Sequence, residues 1–176
     1  MIRTGIGFDF HRLVSGRKLI LGGVEIRYER GLEGHSDADV VLHAICDALL
    51  GAAGLEDIGY YFPDSDPRFK NISSLELLKQ VAAKIHQYGF EVANIDSMLL
   101  MEAPRIAPFR QSMKQNIASA LNISVSQVGL KATTFEGSGM IGRGEGIAAQ
   151  AIATLRDAGT QGPGDAGTGG QGDAET

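Results

Sequence analysis

The sequence is poor in the features that would tie it to an oxidising compartment, a membrane or nucleic acid. It has one cysteine, Cys46, inside a helical pattern. A lone cysteine excludes an intrachain disulfide framework and suits a reducing compartment. No run of residues is long and apolar enough to span a bilayer. The stretch from Met1 to Asp9 lacks the apolar segment and small-residue cleavage site of a leader, so a cytoplasmic location is expected. Lysine and arginine total 16 against 21 acidic residues, for a net charge of -5, and the basic residues do not cluster. General binding to nucleic acid or to an acidic membrane surface is thereby disfavoured. An anionic ligand would have to be met by a few placed cations, helix N-termini or bound metal.

What is present is ordinary for a soluble domain: 43% hydrophobic and 21% charged residues in 176 positions, enough for one core. The stretch from Gly34 to Leu50 organises the rest. Ser36 and Asp39 have capping-box spacing, and beyond them Val41, Ala44, Ile45, Ala48, Leu49 and Ala52 recur as one helical apolar face. Asp39, His43 and Asp47 are spaced i, i+4, i+8, as in either a surface ion-pair ladder or an oriented metal ligand with a carboxylate acceptor beside it.

Upstream, residues 2–10 read as a glycine-rich strand running into His11. Asp9 and His11 then point to one side, as half of a metal site or as a hydrogen-bonded pair. Leu19 to Ile26 reads as a hairpin turning at Gly22-Gly23, followed by loop over 27–35. Residues 54–67 carry two prolines, paired aromatics and the acceptors Asp57, Asp64 and Asp66. They form either an aromatic plug on the core or a substrate wall. A second helix starts at Ser73, with Glu76 at capping-box spacing, and Gly89 stops it. A strand from Val92 to Met101, a helix from about Phe109 to Leu121 and a strand from Val128 to Glu136 follow. Alternation in that last strand sends Thr134 and Glu136 to one side and Lys131 and Thr133 to the other.

Gly137 to Gly142 spells G-x-G-x-x-G after a strand. More glycines stand where a dinucleotide-binding helix would begin, so the match is a decoy. Ile147 to Leu155 suits a helix by its alanines and a closing strand by its length and position. Residues 158–176 are mostly Gly, Asp, Ala, Thr and Gln with no large apolar residue, and read as a disordered glycine-rich tail. The folded domain is expected to be residues 1–157.

Asp9, His11 and His43 offer one carboxylate and two imidazoles from two elements. Three such ligands leave a fourth tetrahedral position open, as in catalytic zinc sites. His35 lies just before a helix N-terminus, where exposed N–H groups attract phosphate.

Five ordered motifs carry a resemblance. They are Gly7-Phe8-Asp9-Phe10-His11; His35-Ser36-Asp37-Ala38-Asp39 with His43; Asp57-Ile58-Gly59 with Phe62-Pro63-Asp64; Lys131-Ala132-Thr133-Thr134 with Glu136; and Gly142-Arg143-Gly144-Glu145-Gly146. In order and spacing the chain resembles the 2-C-methyl-D-erythritol 2,4-cyclodiphosphate synthase family over roughly residues 2–156. The resemblance implies an α/β fold of the two-layer α+β kind, with a mixed β-sheet, helices packed on one face, and a homotrimer around a central cavity. It implies conversion of a cytidyl diphosphate substrate, 4-diphosphocytidyl-2-C-methyl-D-erythritol 2-phosphate, to the cyclic diphosphate and CMP in the non-mevalonate isoprenoid route.

By the same resemblance zinc falls on Asp9, His11 and His43, and magnesium or manganese on Glu136. His35 and Thr134 take catalytic roles. His35, Ser36 and the loop of Phe62, Pro63, Asp64, Ser65 and Asp66 contact the erythritol phosphate, beside Asp9 and His11. Asp57 and Gly59, with Ile58 between them, match the ribose contacts. Met101, Glu102, Ala103, Pro104, Arg105, Ile106 and Ala107 match the cytosine-binding turn. Thr133, Thr134, Phe135 and Glu136 match the diphosphate end, and Met140 and Arg143 the region near a central cavity that takes isoprenoid diphosphates. Phe135 stands where the family often has Thr, and Met140 where it often has Phe.

The implied reaction fits a motif set rich in metal ligands and poor in activated Ser or Cys. Its nucleophile is the substrate's own phosphate, and Lys131 or nearby N–H groups are expected to spread charge. A zinc phosphohydrolase or a non-catalytic diphosphate-binding trimer would use some of the same residues. Product identity separates the first, and the intact set of Asp9, His11, His43 and Glu136 argues against the second.

Overall fold

Two glycines in the first strand decide how the layers meet. In the computed structural model, which describes residues 1–159, β1 (Ile2–Ser15) lies beneath α1 (Val40–Ala53). A Cβ on Gly5 would come within 2.2 Å of the Ala48 carbonyl oxygen, and one on Gly7 within 1.9 Å of that of Ala44. Only glycine in the strand, opposite alanines one turn apart in the helix, allows this approach. Odd-numbered residues of β1 therefore face the helix, and Asp9 and His11 are among them.

The remaining elements are β2 (Leu19–Leu21), β3 (Val24–Ile26), β4 (Arg30–Leu32), the short α2 (Ile58–Tyr61), α3 (Ser74–Gln87), β5 (Phe90–Leu100), α4 (Arg110–Leu121), β6 (Val128–Thr133), the single turn α5 (Gly139–Gly142) and β7 (Gly146–Asp157). The main sheet runs β4-β1-β7-β5-β6, and β2 and β3 pair separately. β7 is antiparallel to both β1 and β5, whereas β5 and β6 are parallel and joined through α4. The sheet is thus mixed, with the helices on one face, as expected. Ile147 to Leu155 is the closing strand and not a helix.

Several local expectations change. Residues 27–35 are not all loop, because Arg30–Leu32 pairs with the end of β1. The hairpin does turn at Gly22 and Gly23, both with positive φ. Ser73 caps α3 through Leu75 N, but Glu76 turns to Lys79, so no capping box closes there. The strand expected from Val128 to Glu136 stops at Thr133, and Glu136 takes a φ of 50° in the turn beyond it. The G-x-G-x-x-G stretch yields one helical turn, too short for a dinucleotide site. Of the residues read as a disordered tail, 160–176 lie outside the described residues.

Helix α1 is buried on nearly its whole circumference; only His43, Asp47 and Gly51 escape, as a thin polar stripe. Ala44 and Ala48 meet β1, and α3 packs on α1 from the far side. Across the sheet, no helix among the described residues covers the even-numbered positions of β1. Ile6 and Ile152, paired across β1 and β7, are 63% and 47% exposed, and Phe8 beside them is 59% exposed.

The close contact of β1 and α1 gives a direct prediction. Gly7→Ala places a methyl group inside the space of a backbone carbonyl, and overpacking of this kind costs about 1–3 kcal/mol or more. A clear drop in the urea midpoint is expected. An unchanged midpoint would show that helix and strand are not held together here.

Candidate functional site

Three donor atoms converge where α1 crosses the end of β1. His11 Nε2 lies 2.9 Å from Asp9 Oδ2, His43 Nδ1 lies 3.0 Å from the same oxygen, and the two ring nitrogens are 3.1 Å apart. The edges of this triangle match a tetrahedral ion, since bonds of about 2.0 Å imply ligand separations of roughly 3.3 Å. Two imidazoles and a carboxylate on three converging lone pairs fit a divalent metal, and this is the one such cluster among the described residues.

The charges within the triangle support each other. Burial works to raise the Asp9 pKa, but hydrogen bonds from His11 and His43 overrule it and hold the carboxyl well below the usual range. Burial works to lower His43, yet the Asp9 bond and charge, with Asp39 and Asp37 nearby, raise it.

The expected ladder of Asp39, His43 and Asp47 does not form. Asp39, not Ser36, is the N-cap of α1, fully buried, accepting from Leu42 N. Its two oxygens also take the N–H groups of Gly22 at 3.0 Å and Gly23 at 2.6 Å, so it clamps the β2–β3 turn to the start of the helix. Ser36 Oγ instead accepts from Ala38 N within the loop. Asp47 accepts from Ile58 N and positions α2, and burial, offset in part by that bond, raises its pKa. Neither carboxylate receives the free nitrogen of His43. That nitrogen, Nε2, meets Ser36 Oγ at 3.1 Å and Ser74 Oγ at 3.0 Å.

A cavity of about 230 Å³ opens in front of the triangle. It is lined by Asp9, His11 and His43, by His35 and Ser36, and by Ile58, Gly59, Phe62 and Asp64. His35 Nε2 is buried without a partner among the described residues, an orphan donor or acceptor at the cavity wall. Asp57 caps α2 and lines a neighbouring recess. Pro63, Ser65 and Asp66 stay off the wall, and Asp66 is engaged by the Arg68 guanidinium.

A second cavity, of about 210 Å³, lies at the end of β6 and shares no residue with the first. Met101, Glu102, Pro104, Arg105, Ile106 and Ala107 form one side, and Thr133 and Thr134 the other. Ala103 does not line it; the peptide between Ala103 and Pro104 is cis. Thr134 Oγ1 donates to Glu136 Oε1 at 2.6 Å, and Phe135 N to Glu102 Oε1. The two therefore meet through a turn and not by strand alternation. Lys131 pairs with Asp96 at 2.5 Å and lines neither cavity. Phe10, Ala148, Leu100 and Thr133 stand in one row across β1, β7, β5 and β6, so three strand spacings, roughly 14 Å, separate the two cavities' strands. Met140 and Arg143 line neither cavity, and Arg143 pairs with Glu145.

Residues 2–156 match the YgbB family along almost the whole described chain. The chain belongs to this family. It is similar to the curated 2-C-methyl-D-erythritol 2,4-cyclodiphosphate synthase of Desulfatibacillum aliphaticivorans, 57% identical over 154 residues, 88% of this chain and 99% of that protein. Among solved structures, the bifunctional IspDF of Campylobacter jejuni aligns with a TM-score of 0.86 at 46% identity, over 89% of this chain and 42% of that one. The Plasmodium falciparum IspF, solved as a CDP complex, aligns with a TM-score of 0.78 at 33% identity, over 89% and 96% of the two chains.

Within this YgbB-family fold, three residues at the site were given no individual role by the sequence reading. Arg17 donates to the carbonyls of Gly34 and Ser36 and holds the loop that carries His35. Ser74 and Asp37 lie behind His43. The doubled serine, Ser73-Ser74, was the available signal: one hydroxyl caps the helix and the other is left for different work. Arg17 had none, being a lone cation in a turn.

Asp39 gives a pH dependence. Burial pushes its pKa up to about 6, against the N–H bonds from Gly23, Gly22 and Leu42 and with help from the nearby Asp37 charge. The folded chain then binds this proton more tightly than the unfolded chain, whose carboxyl titrates near 3.9. Stability contributed by this group rises as the pH falls from about 6 towards 4. Wild type should therefore gain stability relative to Asp39→Asn as the pH falls from 7 to 5. A relative loss over that range would contradict the raised pKa of the buried carboxyl.

Proposed function

We propose that this chain converts 4-diphosphocytidyl-2-C-methyl-D-erythritol 2-phosphate to 2-C-methyl-D-erythritol 2,4-cyclodiphosphate and CMP, in the non-mevalonate route to isoprenoid precursors. The observation that carries the reading is 57% identity, over nearly its full length, to a protein of that name. In chemical class this is a phosphorus–oxygen lyase. An oxygen of the substrate's 2-phosphate bonds to the β-phosphorus, the bond from that phosphorus to CMP breaks, and the electron pair leaves with CMP. The attacking phosphate is ionised at neutral pH and needs no strong base. The absence of an activated thiol is in keeping with this, because Cys46 is sealed in α1 and burial pushes its thiol well up.

The protein's task is then to bend the substrate and hold it in line, which is worth ~7–11 kcal/mol in favourable cases. Asp9, His11 and His43 would hold zinc, since two imidazoles suit zinc far better than magnesium. Glu136, bridged to Thr134, would hold magnesium or manganese. Bound cations supply positive charge to the diphosphate as negative charge shifts towards the leaving group. His35, with its unpartnered Nε2, and Ser36 receive the erythritol phosphate, helped by Phe62 and Asp64. Pro63, Ser65 and Asp66 would complete that loop around the ligand. Asp57, Ile58 and Gly59 take the ribose. The turn from Met101 to Ala107 takes the cytosine, and Thr133, Thr134 and Phe135 take the diphosphate. Residues 1–157 act as one domain, and the buried lone cysteine suits a cytoplasmic setting.

The two cavities must come together, and a single chain keeps them apart. A homotrimer in which the zinc end of one subunit faces the Glu136 end of the next would join them. The uncovered row of Ile6, Phe8 and Ile152 offers the apolar face such a ring would bury. Arg143 and the half-exposed Met140 would then lie near the central cavity, where an isoprenoid diphosphate would have to displace Glu145 from Arg143.

Incubating the zinc-loaded protein with the cytidyl substrate should yield CMP and the cyclic diphosphate in equal amounts. Release of inorganic phosphate would favour hydrolysis and sink the reading. His43→Ala should lower turnover at least about 100-fold while the trimer stays assembled. Glu136→Ala should be similarly impaired. Co-expressed in equal amounts, the two variants should regain up to about a quarter of wild-type activity, because roughly a quarter of interfaces in a closed ring pair two intact halves. No recovery in assembled mixed trimers would place both ends in one subunit.

A further inference from the structure

We infer that Asp37 and Ser74 are positioning residues that hold the His43 ring in the one tautomer able to present Nδ1 to a metal ion. The inference rests on the reading of Asp9, His11 and His43 as metal ligands. His43 Nδ1 faces Asp9 Oδ2 and His11 Nε2, so a metal there needs the Nδ1 lone pair. The ring proton must then sit on Nε2, and something must accept it.

The proton directions behind the ring leave one arrangement. Ser74 Oγ lies 3.0 Å from His43 Nε2 and also makes a very short contact with Asp37 Oδ1. A carboxylate has no proton to give, so the hydroxyl donates to Asp37. The lone pairs of Ser74 Oγ are left for His43 Nε2–H. The chain of donors therefore runs from ring to hydroxyl to carboxylate, and the reverse tautomer would set a lone pair of Nε2 against lone pairs of Oγ. Ser36 Oγ, also 3.1 Å from Nε2, imposes no such direction, because its own proton is not committed to a carboxylate.

The pair is built into the fold. Ser74 is fully buried at the first position of α3. Asp37 Oδ2 accepts from Ser74 N at 3.0 Å, Oδ1 accepts from Asp39 N, and Asp37 N donates to the Ile72 carbonyl. Neither side chain lines the metal cavity, so neither touches substrate there. A carboxylate acting on a metal-bound histidine is a recurrent device; here a serine hydroxyl is inserted between them.

The test measures zinc retention by competition with a chromogenic chelator, on wild type, Ser74→Ala, Ser74→Thr, Asp37→Asn and the double variant Ser74→Ala with Asp37→Asn. Ser74→Ala should bind zinc about 10- to 100-fold more weakly, and Ser74→Thr, which keeps the hydroxyl, should return towards wild type. The double variant should lose no more than Ser74→Ala alone, because both act through one hydrogen-bonded chain. Should Ser74→Ala fail to fold, Asp37→Asn carries the same expectation of weakened retention. Wild-type affinity in a folded Ser74→Ala or Asp37→Asn protein overturns the inference, and so do penalties that simply add. Wild type that retains no zinc would instead fail the metal reading itself, which separates the two.

Discussion

Everything at the site depends on how closely α1 can approach β1. The separation is set by backbone against backbone, with Gly5 and Gly7 beneath Ala44, Ala48 and Ala52. Any side chain at either glycine would lift the helix by an ångström or more. His43 rides on that helix, next to Ala44, and Asp9 and His11 on that strand, two and four positions beyond Gly7. The donor triangle, with edges near 3 Å, tolerates little displacement, because a metal ion reads ligand positions to a few tenths of an ångström. Packing of the smallest residues therefore sets the geometry of the most demanding ones.

The loop from His35 to Asp39 performs the second adjustment. Its consecutive polar side chains go to four different places: His35 to the cavity, Ser36 to His43, Asp37 to α3, and Asp39 to the β2–β3 turn. Arg17 fastens its carbonyls from outside. A loop whose backbone and side chains are committed in so many directions loses its freedom on folding and not on ligand binding. That is the condition for a preorganised site. The buried Asp39 charge is tolerated because N–H groups surround it on both oxygens.

How much of this the sequence disclosed follows the range of the interactions. Asp9 and His11 were legible because a strand's period places i and i+2 together, and His43 because a helix face could be traced around it. The ladder reading failed at Asp39 for a tertiary reason. Its partners Gly22 and Gly23 are 17 and 16 residues upstream, in a hairpin whose docking no periodicity encodes. Ser74 and Asp37 were illegible for the same reason, being 37 residues apart. The loop at 27–35 hid a strand because Arg30, Gly31 and Leu32 pair with the far end of β1, and three residues carry no period. The resemblance singled out Thr134 and Glu136, where the local pattern was weakest: the two meet through a positive-φ turn and not along a strand.

On the proposed reading, charge bears on why the site is divided between two cavities. A substrate with a phosphate and a diphosphate carries several negative charges, and the chain itself stands at -5. Three of its cations are paired at the surface, Lys131 with Asp96, Arg143 with Glu145 and Arg68 with Asp66, whereas Arg105 and Arg110 line the second cavity. Each cavity also brings carboxylates of its own, Asp9 and Asp64 in one and Glu102 in the other. The carboxylates of the first cavity repel a polyanion unless a cation of higher charge density converts them from opponents into ligands. On the proposed reading a metal cation sits in each half, beside Arg105 and Arg110 in the second, and neither half alone holds both ends of the substrate. Joining the halves between subunits makes binding conditional on assembly. The diphosphate is then held from both ends only when the cavities face each other, and that two-ended hold is also the bent geometry that cyclisation requires.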